Sequence, residues 1–129
     1  MSYPKHRFQP EDLLDFIELE PFTNAWNRLG LDDDALAALQ LAIMADPTAG
    51  DVIAGTGGLR KLRFSPPAWH QGKRGALRVC YVYFAEYGIV LLVIVYAKGE
   101  KDNLSHAEKK AIRDLIERQA RELSRRPSR

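Results

Sequence analysis

This chain of 129 residues carries one cysteine, Cys80, so no intrachain disulfide can form. Small secreted folds held by disulfide frameworks are thereby excluded. Cys80 lies inside an apolar run, where a small buried hydrophobe is the expected role rather than a nucleophile. Histidine is scarce as well. His6, His70 and His106 fall in a leader, a loop and a helix start, so each reads as a surface histidine. His70 stands apart only because its loop is basic. Long apolar runs are also missing. The most apolar stretch, Ile89 to Ala97, is far too short to cross a bilayer as a helix. The opening residues hold no apolar segment of signal-peptide length. A cytoplasmic protein with no membrane partner is expected.

One further absence is local. From Val52 to Ala85 there is no acid, against six cations: Arg60, Lys61, Arg63, Lys73, Arg74 and Arg78. The segments before, within and after this stretch carry formal charges of −7, +6 and +3, within a total of only +2. Positive charge gathered in one place suits a polyanion. The competing account is a solvated basic loop.

The length fits one domain. A hydrophobic content of 46% is enough for a full core. Residues 1–12 read as a loose leader, 13–124 as a single domain, and 125–129 as a basic tail. Phe16 to Leu19 is expected to be a short strand. Pro21 suits the first turn of a helix and Gly30 its left-handed C-terminal position. Phe22, Trp26 and Leu29 share one face of that helix. Asp32, Asp33 and Asp34 open a second helix. Capping and the macrodipole account for them more simply than a metal site does. Leu36, Leu39, Leu41 and Ile43 are expected to form its buried side, with Pro47 ending it. The G-T-G-G segment lacks the strand, lysine and helix of a phosphate loop, and reads as a tight turn into a strand.

Three strands are expected next: Leu59 to Phe64, Ala76 to Phe84 and Ile89 to Ala97. The run V-L-L-V-I-V points to burial on both faces of the last. Glu86 to Gly88 is short enough to make the last two an antiparallel hairpin. Ser105-His-Ala-Glu108 is a capping box that opens a final helix, with Ile112, Leu115, Ile116 and Leu123 inward. Lys109, Lys110, Arg113, Arg118 and Arg121 fall mostly outside. The whole is an α+β domain, a small and largely antiparallel sheet with helices packed on it.

These elements in this order resemble the RelE/HigB superfamily of type II toxins, and within it the HigB-like, phage-derived branch. Four pieces carry the resemblance: F-T-N-A-W-N-R-L-G-L-D-D-D-A-L-A-A-L-Q, G-D-V-I-A-G-T-G-G-L-R-K-L-R-F, G-K-R-G-A-L-R-V-C-Y-V-Y-F and V-Y-A-K-G-E-K-D-N-L-S. They lie in register between about Phe16 and Glu117. The resemblance implies the RelE-like toxin fold and a ribosome-dependent endoribonuclease that cuts mRNA and halts translation. It also implies a cognate antitoxin, a helix-turn-helix protein through which alone operator DNA would be contacted.

Cutting RNA by attack of the 2′-hydroxyl needs a base, charge stabilisation at phosphorus and a proton for the 5′-oxygen. His and Glu commonly move such protons, and neither clusters here. Family members with cationic sites use Lys and Arg. A lysine crowded by cations can serve as base, and arginine holds a phosphate through two hydrogen bonds. By resemblance, Lys61, Arg63, Arg78 and Lys98 are the catalytic positions. Arg60, Lys73, Arg74 and Lys101 are expected to bind RNA, with no metal or cofactor. Strand parity puts Lys61 and Arg63 on one face and Arg60 on the other. Where some relatives carry an aromatic residue in the C-terminal segment, this chain has Leu104 or Ser105. Tyr83, Tyr96 or Trp69 could stack on a base instead, against core packing as the default for both tyrosines. Two rivals stand beside this reading: a ParE-like toxin that poisons gyrase without nuclease activity, and a non-catalytic RNA- or DNA-binding module.

Overall fold

A computed structural model of the chain describes residues 13–69, 76–100 and 103–125. The leader to residue 12, the end of the tail, His6, His70, Lys73, Arg74 and Lys101 lie outside the described residues. The elements are β1 (Asp15–Glu18), α1 (Glu20–Arg28), α2 (Asp33–Ala45), β2 (Asp51–Val52), β3 (Arg60–Phe64), β4 (Leu77–Phe84), β5 (Ile89–Ala97) and α3 (His106–Leu123). The strands form one sheet in the order β1-β5-β4-β3-β2. β1 runs parallel to β5, and the other pairs are antiparallel. This is the α+β architecture expected from the sequence. β2 is an addition to it. Two residues carry no readable alternation, and β2 exists because Asp51 and Val52 pair with Lys61 and Arg60.

The sheet separates two cores. On one face Leu77, Val79 and Tyr81 of β4 join Val90, Leu92 and Val95 of β5 beneath α1 and α2. Phe22 and Trp26 of α1 stack at 5.4 Å between ring centroids. Ala35, Leu39 and Ile43 form the buried stripe of α2, at the fourfold spacing that repeats a helix face. Leu41 is only half-buried, contrary to the expected inward role. Two residues from Leu39 is about 200° around the helix axis, so Leu41 falls on the far side of that stripe. Asp32 caps α2 by accepting from the Ala35 amide at 2.9 Å. Gly30 takes φ 73° after α1, which a side chain would resist.

On the other face Leu59, Cys80, Val82, Leu91 and Val93 meet Ile116 of α3. Ile112 and Leu115, also expected inside, are half-buried. The capping box of α3 is formed as read: Ser105 Oγ accepts from the Glu108 amide at 3.1 Å, and Glu108 Oε1 accepts from the Ser105 amide at 2.9 Å. The β2–β3 turn is the seat of this helix. Thr56, fully buried, donates to the Ile53 carbonyl at 2.6 Å and accepts from the Leu59 amide at 3.1 Å. Arg113 then donates to the Gly55 carbonyl at 2.9 Å. Among the described residues, no helix is long and apolar enough to cross a membrane.

Candidate nucleic-acid interface

The expected cations sort by strand parity. Alternation on β4 puts Arg78, Cys80 and Val82 on the α3 face, because Val79 and Tyr81 take the other. The register pairs Lys61 with Cys80 and Arg63 with Arg78. Lys61, Arg63 and Arg78 therefore share the α3 face. Arg63 and Arg78 stand directly opposite each other, and Lys61 lies roughly 7 Å further along β3. Lys98 follows one residue after the β5 end, in an exposed turn. The last register row before that turn is Phe64, Leu77 and Ala97. Lys98 thus sits at the same end of the sheet as the two arginines. The turn is held by Glu100, whose Oε1 accepts from the Ala97 amide at 3.0 Å and whose Oε2 pairs with Arg28 at 3.4 Å.

Arg60 belongs elsewhere. It pairs with Tyr81 across the strands, on the α1–α2 face. Its guanidinium donates to the Thr48 and Gly50 carbonyls at 3.1 and 2.8 Å. Those bonds fasten the loop after α2, so Arg60 is a structural clamp and is not brought together with Lys61, Arg63 and Arg78. The structure thus places Arg60, expected to bind RNA, on the face opposite the other cations, as the parity rule had separated it.

On the α3 face the cations stand on the sheet, and Glu108 of α3 lies behind them in the lining it shares with Lys61 and Tyr96. Among the described residues, no carboxylate lies within salt-bridge distance of Lys61, Arg63, Arg78 or Lys98. Arg78 donates to the Ala76 carbonyl at 3.0 Å, which steers the side chain without neutralising it. Like charges directly opposite in a sheet are destabilising. An Arg–Arg pair with no acid beside it gives up stability that a Glu in either position would recover.

Tyr96 completes the row, and its placement depends on an irregularity. β5 pairs Leu92 with Tyr81 and Ile94 with Cys80, so Val93 is an extra residue opposite that step. Such a bulge reverses the alternation beyond it. Without it, Tyr96 would face α1. With it, Tyr96 stands opposite Arg78 on the cation face, half-buried. Tyr83 and Trp69, the other stacking candidates, pack against the α1–α2 core. The continuous apolar run of β5 concealed this shift, because no polar residue within it marks which side faces out.

Behind the cations the face becomes apolar. A cavity of about 440 Å³ lies between the sheet and α3, and Lys61, Cys80, Tyr96, Asn103 and Leu104 are among its lining. Burial is the chief cause that pushes the Cys80 thiol up from 9.0 to about 11, against the opposing influence of Lys61 and a hydrogen bond from Tyr96. At neutral pH Cys80 is a protonated thiol, as its sequence setting suggested, and is no nucleophile. Iodoacetamide at pH 7.5 is therefore expected to label the folded chain far more slowly than the urea-unfolded chain. Equal labelling rates would show the thiol to be exposed and ionised. Because the folded value lies above the unfolded one, its contribution to stability is intact below pH 9.0 and is lost as pH rises toward about 11.

Among the described residues, no group of His, Cys, Asp and Glu is arranged to hold a metal ion. What the face offers is a fixed set of cations beside one aromatic ring. That is the equipment for gripping a phosphate chain and stacking one base. No known family model matches the chain.

Proposed function

We propose that the α3 face binds the backbone of an RNA strand and that the protein is a RelE/HigB-like toxin, a ribosome-dependent endoribonuclease acting on mRNA. The observation that carries this reading is the row of Arg63, Arg78 and Tyr96, with Lys61 beside it on the same face. Arg63 and Arg78 are spaced to take the non-bridging oxygens of one phosphate between them. Their charge offsets what develops as the 2′-oxygen adds to phosphorus. Bond formation to the 2′-oxygen and loss of the 5′-oxygen leave a 2′,3′-cyclic phosphate. The proton leaves the 2′-hydroxyl and a proton reaches the 5′-oxygen. Lys61, two residues along β3 from Arg63 on that face, takes the first transfer, and Lys98, at the end of the sheet, supplies the second. Tyr96 supplies a ring for the adjacent base. The set includes no strong base, which suits a site completed only when the ribosome bends mRNA into it. On the same reading the protein is cytoplasmic and partners a cognate antitoxin.

The Arg–Arg pair gives a test that separates binding from folding. Replacing Arg63 by Glu creates a cross-strand ion pair with Arg78, and the melting temperature is expected to rise or hold. Growth arrest on induced expression is expected to disappear in the same variant. A stable variant that still arrests growth would remove the cation face from the mechanism.

A further inference from the structure

An apolar cleft of about 440 Å³ lies under α3, open to solvent on one side. That falls in the range of roughly 300–1,000 Å³ found for small-molecule sites. It lies where α3 crosses the sheet. At one end the stems of Lys109 and Arg113 rest on Gly55 and Gly57, 3.4 Å from where a Cβ would stand at each. Only Ile116 and Leu123 of the helix are buried, while Ile112 and Leu115 stay half-buried.

The lining is apolar in its depth, with Leu59, Val93 and Ile94 from the sheet and Ile112 and Leu115 from the helix. Lys61, Lys109 and Arg118 also line it, and among the described residues none of the three has a carboxylate partner. Among the described residues, Glu108 is the one acid in the lining, and its Oε1 accepts from the Ser105 amide in the capping box. Among the described residues, an apolar interior lined by three cations and one acid is complementary to one kind of small molecule: an anion with an apolar body.

We infer that this cavity is a binding site for an amphipathic monoanion, such as a medium-chain carboxylate, with its body among Leu59, Val93, Ile112 and Leu115 and its acid group among Lys61, Lys109 and Arg118. The inference does not depend on the RNA reading, although Lys61 serves both. A ligand there would withdraw Lys61 from the cation face and so compete with a polyanion.

The test is a fluorescence titration of the full chain with 8-anilinonaphthalene-1-sulfonate, followed by displacement with decanoate. The expected result is saturable binding of one probe per chain, reversed by decanoate at least tenfold more effectively than by decanol. Arg118, exposed on α3, can be reversed to Glu without disturbing a core, and Arg118→Glu is expected to weaken decanoate binding at least fivefold. Equal displacement by decanol, or an unchanged affinity in Arg118→Glu, would overturn the charge recognition. Non-saturable probe binding would overturn the site itself. Displacement by adenosine monophosphate but not by decanoate would overturn the ligand class and return the cavity to the RNA interface.

Discussion

Arg78→Ala is expected to lower mRNA cleavage by about 10²–10³-fold while the chain remains folded, the usual consequence of deleting one donor from a transition-state charge site. The expectation rests on position. Arg78 is held between Arg63 on one neighbouring strand and Tyr96 on the other, at the centre of the row. It is half-buried and steered by its bond to the Ala76 carbonyl. A phosphate placed on Arg63 or Tyr96 is therefore within its reach. Its neighbours Leu77 and Val79, which face the α1–α2 core, are unchanged in the variant. Circular dichroism and thermal melting of Arg78→Ala should match wild type. Loss of activity accompanied by unfolding would mean that the arginine serves the fold instead.

The second large effect concerns stability. Tyr81 is fully buried, and its hydroxyl does two jobs. It donates to the Pro47 carbonyl at 2.8 Å and accepts from the Gly50 amide at 3.2 Å. Burial is the main reason its phenol is pushed above the ordinary value, so it stays a neutral donor. Tyr81→Phe keeps the ring and strands both backbone groups. Each buried group left unpaired costs about 1–3 kcal/mol, and the Pro47 end is the less buried of the two. A loss of about 2–3 kcal/mol is expected, read as a lower midpoint in urea with an unchanged slope. Gly50 explains why the loop cannot adjust. A Cβ there would stand 3.1 Å from both the Lys61 carbonyl and the Tyr81 ring. A variant within 0.5 kcal/mol of wild type, on the same scale, would show that water replaces the hydroxyl. Because this loop positions β2 against β3, the variant should also loosen the strand that carries Lys61.

Local chemistry made most of the elements legible. The Pro21 and Gly30 signals, the Asp32 cap, the Ser105–Glu108 box and the β4–β5 hairpin are each set by a few neighbouring residues, and each is present. β2 was hidden because its two residues owe their state to pairing and not to propensity. Half of the site was equally readable. Parity alone puts Lys61 and Arg63 together and Arg60 apart, since a period of two is fixed by the pleat. Tyr96 was not readable in the same way. Its side depends on the extra residue Val93, and a bulge inside V-L-L-V-I-V leaves no mark in the pattern. The cavity was also out of reach of the sequence, because it depends on how α3 seats on a glycine turn 58 residues away in the chain, the separation of Arg113 and Gly55. Capping and periodicity specify the helix but not its height above the sheet.

The most direct measurement is primer extension on a reporter mRNA after induced expression in a bacterial host, with wild type beside Arg78→Ala. The account predicts growth arrest with discrete, translation-dependent cuts in wild type, and neither in the variant. Arrest without cuts would contradict it and point to a gyrase-directed toxin on the same fold. No arrest from either would leave the cation face as a binding surface without catalysis.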